Sequence, residues 1–203
     1  MVKKKNKKII KKNDFFKEIY NDNWAFLKKI KNYIWFASLT FLLFALLGFL
    51  FPIFFKQEIF SFIKEVTQQI ADYNSSQLIS YIFLNNLKAS FFAILIGIVF
   101  GIFPFFMAVA NGYLIGFVSR YSVNEEGFLI LWRLLPHGIF EIPAVILSIA
   151  IGMRLGIDVL KSGKQKGIFK QEFVKAIKTF IFIIIPLLVI AAIIEGFLVY
   201  FLK

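Results

Sequence analysis

The chain has 203 residues, 59% of them hydrophobic and 19% aromatic, with 28 Phe and a formal net charge of +12. That composition is too apolar for an ordinary soluble domain and places the protein in a lipid bilayer. The absence of cysteine excludes disulfides, thiolate metal sites and a cysteine nucleophile. Nucleic-acid binding is excluded by the placement of the charge, since no helix-turn-helix, zinc-finger or RNA-binding signature accompanies it.

Eleven of the 24 Lys/Arg precede residue 32, and six lysines lie between Lys161 and Lys178. Basic segments beside apolar runs mark cytoplasmic loops and contact with anionic lipid headgroups. Residues Met1–Asn13 form a lysine-rich tail with no apolar face to offset the entropy of ordering. From Asp14 to Lys31, Phe16, Ile19, Trp24, Leu27 and Ile30 recur at helical spacing, while Asp14, Glu18, Asp22 and Lys29 share a polar ridge. Two readings stand: an amphipathic helix on the cytoplasmic membrane face, or a basic flank that only sets orientation. Residues 1–32 thus read as a cytoplasmic lysine-rich tail with an interfacial helix, and 33–203 as a single transmembrane helical domain.

Tyr33 to Phe55 gives 23 residues without a charge. At about 1.5 Å per residue that crosses a hydrocarbon core of roughly 30 Å. This run is too long for a signal-peptide core and lacks a small-x-small cleavage site, so it reads as a start-transfer anchor. The lysines before it outweigh Lys56 and Lys64, which are set against Glu58, Glu65 and Asp72, and the N-terminus is expected in the cytoplasm. Ile59, Ile63, Val66, Ile70 and Tyr73 then form an apolar stripe ended by Asn74-Ser75-Ser76, expected as an amphipathic helix on the outer face or packed over the bundle.

From Leu84-Asn85-Asn86-Leu87-Lys88 the chain runs apolar to Ala110, with Gly97, Gly101 and Pro104 inside. Two small residues four apart share a face and let a neighbouring backbone approach, and Pro104 is expected to kink or break the span. Asn111 precedes a second small-residue pair, Gly112 and Gly116, and its amide can cap a helix or bond across helices. Between Asn111 and Leu135 the apolar character falters. That segment reads either as a crossing made of short helices or as a helix extension with a re-entrant segment.

Gly138 to Gly156 supplies the next crossing, with Pro143 inside it and a third pair, Gly152 and Gly156, around Arg154. Asp158 to Lys178 reads as a lysine-rich cytoplasmic loop, and Thr179 to Leu202 as the last span, carrying Pro186 and Glu195. An external loop early and an internal loop here require an odd number of crossings between them. The expected fold class is therefore all-α: a polytopic transmembrane helical bundle of about five spans, discontinuous or kinked around Pro104 and Pro136–Gly138, with the C-terminus outside.

Taken together, Asn85-Asn86, the Gly97/Gly101/Pro104 span, Asn111-Gly112-x-x-x-Gly116, Leu135-Pro136-His137-Gly138-x-x-Glu141-x-Pro143-Ala144, Gly152-x-x-x-Gly156 and the late Glu195 resemble the stage II sporulation protein M family, from about Leu84 to the C-terminus. The resemblance implies a five-span membrane protein of bacteria and archaea. Its namesake is a membrane scaffold during engulfment, serving two partner proteins that remodel the cell wall.

The polar residues at membrane depth are the candidate site. If the chain is helical from Pro136, His137 and Glu141 share a face, and Arg133 before them is a possible partner of Glu141. Glu195 on the last span is within conceivable reach of Arg154, Arg133 or an amide. Intramembrane charges are too costly to leave alone. Arg133, His137, Glu141 and Glu195 then form either a buried polar cluster that locks helices together or the lining of an ion or proton pathway. Catalysis is the least favoured use. There is no Gly-x-Ser-x-Gly or His-Glu-x-x-His, and one histidine cannot build the usual zinc site, so neither metal nor cofactor is expected. The expectation is a non-enzymatic membrane scaffold or assembly factor, with a transporter or channel as the alternative. Its partners would be the bilayer, anionic headgroups and other membrane or envelope proteins.

Overall fold

A computed structural model describes residues 12–161 and 166–201, and of 12–16, 100, 133–137, 161, 166–168 and 199–201 it leaves the side chains undescribed. The described residues fold as α1 (Lys12–Lys29), α2 (Lys31–Leu50), α3 (Lys56–Ile70), α4 (Ser75–Phe100), α5 (Phe103–Glu126), α6 (Leu131–Lys161), α7 (Lys166–Thr179) and α8 (Ile185–Phe201). A single 3₁₀ turn, Phe128–Ile130, precedes α6, and a π-helical turn, Phe180–Ile184, joins α7 to α8. Residues 1–11, which hold most of the expected tail, lie outside the described residues.

Among the described residues four stretches are long and apolar enough to cross a membrane: Lys31–Leu50, Ser75–Val99, Gly138–Leu160 and Phe169–Leu198. The protein is a multi-pass helical membrane protein. α5, at 24 residues, is diluted by Asn111, Ser119, Arg120, Ser122, Asn124 and two glutamates, and is not among the four. It is nevertheless one continuous helix lying along α2.

Helix boundaries follow from local chemistry. Asn74 accepts from the Gln77 N–H at 2.9 Å while Gln77 accepts from the Asn74 N–H at 3.0 Å, so α4 starts at Ser75 and not near Leu84. This reciprocal cap satisfies two donors that a helix start leaves free. α4 ends at Gly101, whose φ of +47° suits a residue without Cβ, and Pro104 falls in the first turn of α5, where a missing N–H is harmless. α5 ends at Gly127, φ +80°.

The second expected break is therefore displaced. The backbone is helical from Leu131 to Lys161 straight through Pro136, Gly138 and Pro143, and the discontinuity stands at Gly127 and the 3₁₀ turn. Proline is tolerated inside membrane helices because neighbouring groups and small local adjustments re-satisfy the freed carbonyl. Pro186 acts differently. Just before it the ladder slips, and the Ile185 N–H reaches the Phe180 carbonyl five residues back, which widens the start of α8.

Contacts between helices fix their directions. Phe36 meets Phe105, Gly112 abuts Phe41, Gly116 abuts Ala45, and Arg120 lies over Phe49, so α2 and α5 are parallel. Gly97 faces Gly152, and Gly101 faces Gly156 and Leu160, so α4 and α6 are parallel as well. Ile79 meets Gly196 and Phe91 meets Phe180, which makes α8 antiparallel to α4. Pro104 lies close to Gly152, while only a four-residue link joins the end of α5 to α6, so these two are antiparallel. One end of the bundle consequently carries α1, the start of α2, the end of α6, α7 and the start of α8. The opposite end carries α3.

Candidate functional site

The glycine pairs settle on specific neighbours. A Cβ built on Gly97 would stand 2.5 Å from the backbone of Gly152, and one on Gly152 would collide with the Ala93 carbonyl. Gly156 touches the Gly97 carbonyl and Gly101. On the other seam, Gly112 and Gly116 press against the carbonyls of Phe41 and Ala45, and Gly48 answers against Tyr113. Lipid tails are as apolar as Leu, so close backbone packing is what distinguishes a helix neighbour from lipid. The Asn111 amide turns back on its own helix, its Nδ2 donating to the Met107 carbonyl at 2.8 Å.

Of the four expected cluster residues, Arg133 and His137 have side chains outside the described residues, as does Pro136. Glu141 and Glu195 are both half-buried, and the antiparallel run of α6 and α8 puts them toward the same end of the bundle. Glu141 is engaged within the protein. Arg154 does not serve Glu195, because it lies toward the opposite end. There its Nε donates to Asp158 Oδ2 at 2.9 Å, and its guanidinium sits over the Tyr33 ring, 5.8 Å from the centroid. Asn85 is exposed and Asn86 half-buried on α4. Pro143 is exposed on α6.

The polar centre that the described side chains do build is at the α1–α7 end, where the sequence suggested only a loop. The segment from Lys166 to Thr179 is a helix, and its Glu172 is 2% exposed. Lys29 of α1 lies 2.8 Å from Glu172 Oε2, and Lys175 lies 3.0 Å from Oε1. Lys178 pairs with Asp22 at 2.9 Å, and the Thr179 hydroxyl donates to Asn23 Oδ1 at 3.0 Å. Beneath these bonds Phe26 and Ile30 join Ala176 and Phe180 in one buried cluster. The amphipathic α1 is thus docked onto α7 by Asn23 and Phe26, with Ile30 just beyond its end, whereas Trp24 stays 52% exposed.

Glu172 was within reach of sequence reasoning. Phe169, Glu172, Phe173, Ala176 and Phe180 fall on one helical stripe, and a lone acid on an apolar stripe among lysines calls for partners. Asp22 and Lys29 were legible as a ridge, but their partners on α7 lie about 150 residues away, beyond any local pattern.

At the opposite end, the Tyr113 hydroxyl donates to the Phe51 carbonyl at 2.9 Å and accepts the Phe54 N–H at 3.0 Å. It holds the turn between α2 and α3, in which Phe55 takes the left-handed φ of +54° that a bulky residue rarely adopts. Beside it opens an apolar groove of about 750 Å³ walled by Phe44, Leu47, Phe62, Phe106 and Leu114. Phe60 of α3 seats its ring on Phe117 and Tyr121. Among the described residues no group of His, Asp or Glu is arranged to hold a metal.

The stage II sporulation protein M family model matches residues 36–199, from α2 into α8. The chain belongs to this family. Two relatives come from Methanocaldococcus jannaschii. Uncharacterized protein MJ0793 is 35% identical over 122 residues, covering 58% of this chain and 68% of its own. Uncharacterized protein MJ0706 is 27% identical over 202 residues, covering 90% and 89%. No solved structure matches. Within the matched residues, Leu135–Pro143 falls in the first turns of α6, and the three glycine pairs fall on the two interlocked seams.

Proposed function

We propose that this protein is a non-enzymatic integral membrane scaffold or assembly factor of the cell envelope. The observation that carries this reading is the interlock of backbones along α2–α5 and α4–α6. Seams in which a single Cβ would strike a carbonyl hold helices in fixed register, as suits a platform better than a gate. The aromatic groove beside α3 gives such a platform an apolar face within the bilayer where another membrane protein can pack.

The layout we favour has five crossings, with the N-terminus and α7 in the cytoplasm and the C-terminus outside. Supporting it, α2, α5 and α8 run one way and α4 and α6 the other, as five successive crossings require. α5, at 24 residues, is long enough at about 1.5 Å per residue to span the core. The lysines of α1 and α7 gather at one end, which the charge rule assigns to the cytoplasm and to anionic headgroups.

The chain lacks cysteine, so a single probe at position 167 tests the orientation: labelling from the cytoplasmic side is expected, and labelling only from outside overturns the layout. For function, Glu141→Gln and Glu195→Gln are expected to lower protein level or partner co-purification from membranes. Ion or solute flux in proteoliposomes, lost in Glu141→Gln while the protein stays folded, would replace the scaffold with a transporter.

A further inference from the structure

A second groove, of about 560 Å³, lies between α1 and the widened start of α8. Its walls are Ile19 and Trp24 on one side and Phe182, Pro186, Leu187 and Ile190 on the other, with the buried Asn23 amide among them. The site is built and not a loose flap. Lys29–Glu172, Lys178–Asp22 and the Thr179–Asn23 hydrogen bond clamp α1 in place, and the π turn before Pro186 displaces the opposite wall. Two features of opposite kind meet here. The groove itself is apolar, and Lys28 holds its ammonium 5.6 Å from the centroid of the Trp24 ring that lines it.

We propose that this groove binds an anionic phospholipid of the cytoplasmic leaflet. The acyl chain lies along Ile19, Leu187 and Ile190, and the phosphate rests on Lys28 at the bilayer surface. The match is one of shape and charge. An acyl chain needs a carbon-lined channel that runs along a membrane span, as this one does from Phe182 to Ile190 within Phe169–Leu198. The phosphate needs a cation at the level of an interfacial tryptophan, which Lys28 supplies. The leaflet assignment rests on the cytoplasmic placement of α1 proposed above, and a failure of that placement would appear in the labelling of position 167 and not in the measurement below.

The test uses the full chain with Trp35→Phe and Trp132→Phe, leaving Trp24 as the fluorophore, in phosphatidylcholine vesicles doped with phosphatidylglycerol or phosphatidylcholine brominated on the acyl chain. Brominated phosphatidylglycerol should quench Trp24 with about fivefold preference, the worth of one lysine near an anionic headgroup. The preference should survive 0.5 M salt, which removes diffuse attraction. Lys28→Gln should bring it close to unity, and Leu187→Phe, which fills the groove, should reduce quenching by both lipids. Ile190→Phe serves the same purpose if Leu187→Phe does not fold. Equal quenching in the parent protein overturns the site. So does a preference that vanishes in salt and ignores both filling substitutions, which would leave only a diffuse basic surface.

Discussion

Between α4 and α6, glycines bring two backbones into contact. Between α1 and α7, charged side chains gather around Glu172 over an apolar base. The contrast follows from the side chains each place offers. Inside the bilayer, helix association gains little from removing apolar surface, because lipid already solvates it. At the α1–α7 contact, Phe26 and Ile30 pack with Ala176 and Phe180, and the ion pairs to Glu172 and Asp22 add charged contacts that fix the register.

Substitutions should separate the two regions. The largest effect is expected from Gly152→Leu, whose side chain has no room against Ala93 and Gly97. Overpacking of this kind costs about 3 kcal/mol, and the monodisperse peak in size-exclusion chromatography should be lost. Gly138→Ala is its control. Among the described residues a Cβ there meets only Ile142, at 3.6 Å, so stability should hold or rise by about 0.5–1 kcal/mol in thermal unfolding. Next is Glu172→Gln, which removes the carboxylate shared by two lysines at a cost of about 1–3 kcal/mol. It should release α1 first, seen as faster amide exchange in α1 with the glycine seams still protected.

Tyr113→Phe should cost about 1 kcal/mol by freeing the Phe51 carbonyl and Phe54 N–H, with exchange rising at the α2–α3 turn alone. The smallest effect is expected for Asp22 and Lys178. Their side chains are 44% and 39% exposed, so a double-mutant cycle should give under about 1 kcal/mol, and less at high salt. A larger coupling there than at Glu172 would reverse the ranking of the two ion pairs.

The all-helical class, the membrane setting and the family were legible because they rest on composition, helical spacing and a dense local motif. Helix limits were legible only where the signal was also local. Asn74-Ser75-Ser76 was visible as a stop after α3, but the same Asn74 caps α4 through Gln77 and moves that start upstream of Leu84. Pro136 looked like a break because proline withholds an N–H, yet α6 runs on through it and through Pro143. The interruption at Gly127 needed φ, which no spacing reveals. Glu141 and Glu195 stood out as acids within apolar runs, but which groups they meet depends on how distant helices pack. The α1–α7 latch depended on pairing between distant segments, and only the fold brings those together.

The parallel pairing of α2 with α5 and of α4 with α6 also bears on how the protein is made. Parallel neighbours cannot form as a hairpin, so α2 leaves the ribosome and enters the membrane well before its tightest partner exists, with α3 and α4 synthesised in between. α4 likewise waits for α6. During that interval the glycine faces of α2 and α4 are open to lipid or to helices of other proteins, and the seam closes only after α5 and α6 follow. Biogenesis of this fold is therefore a matter of timing, in which an early helix must stay available for a late one.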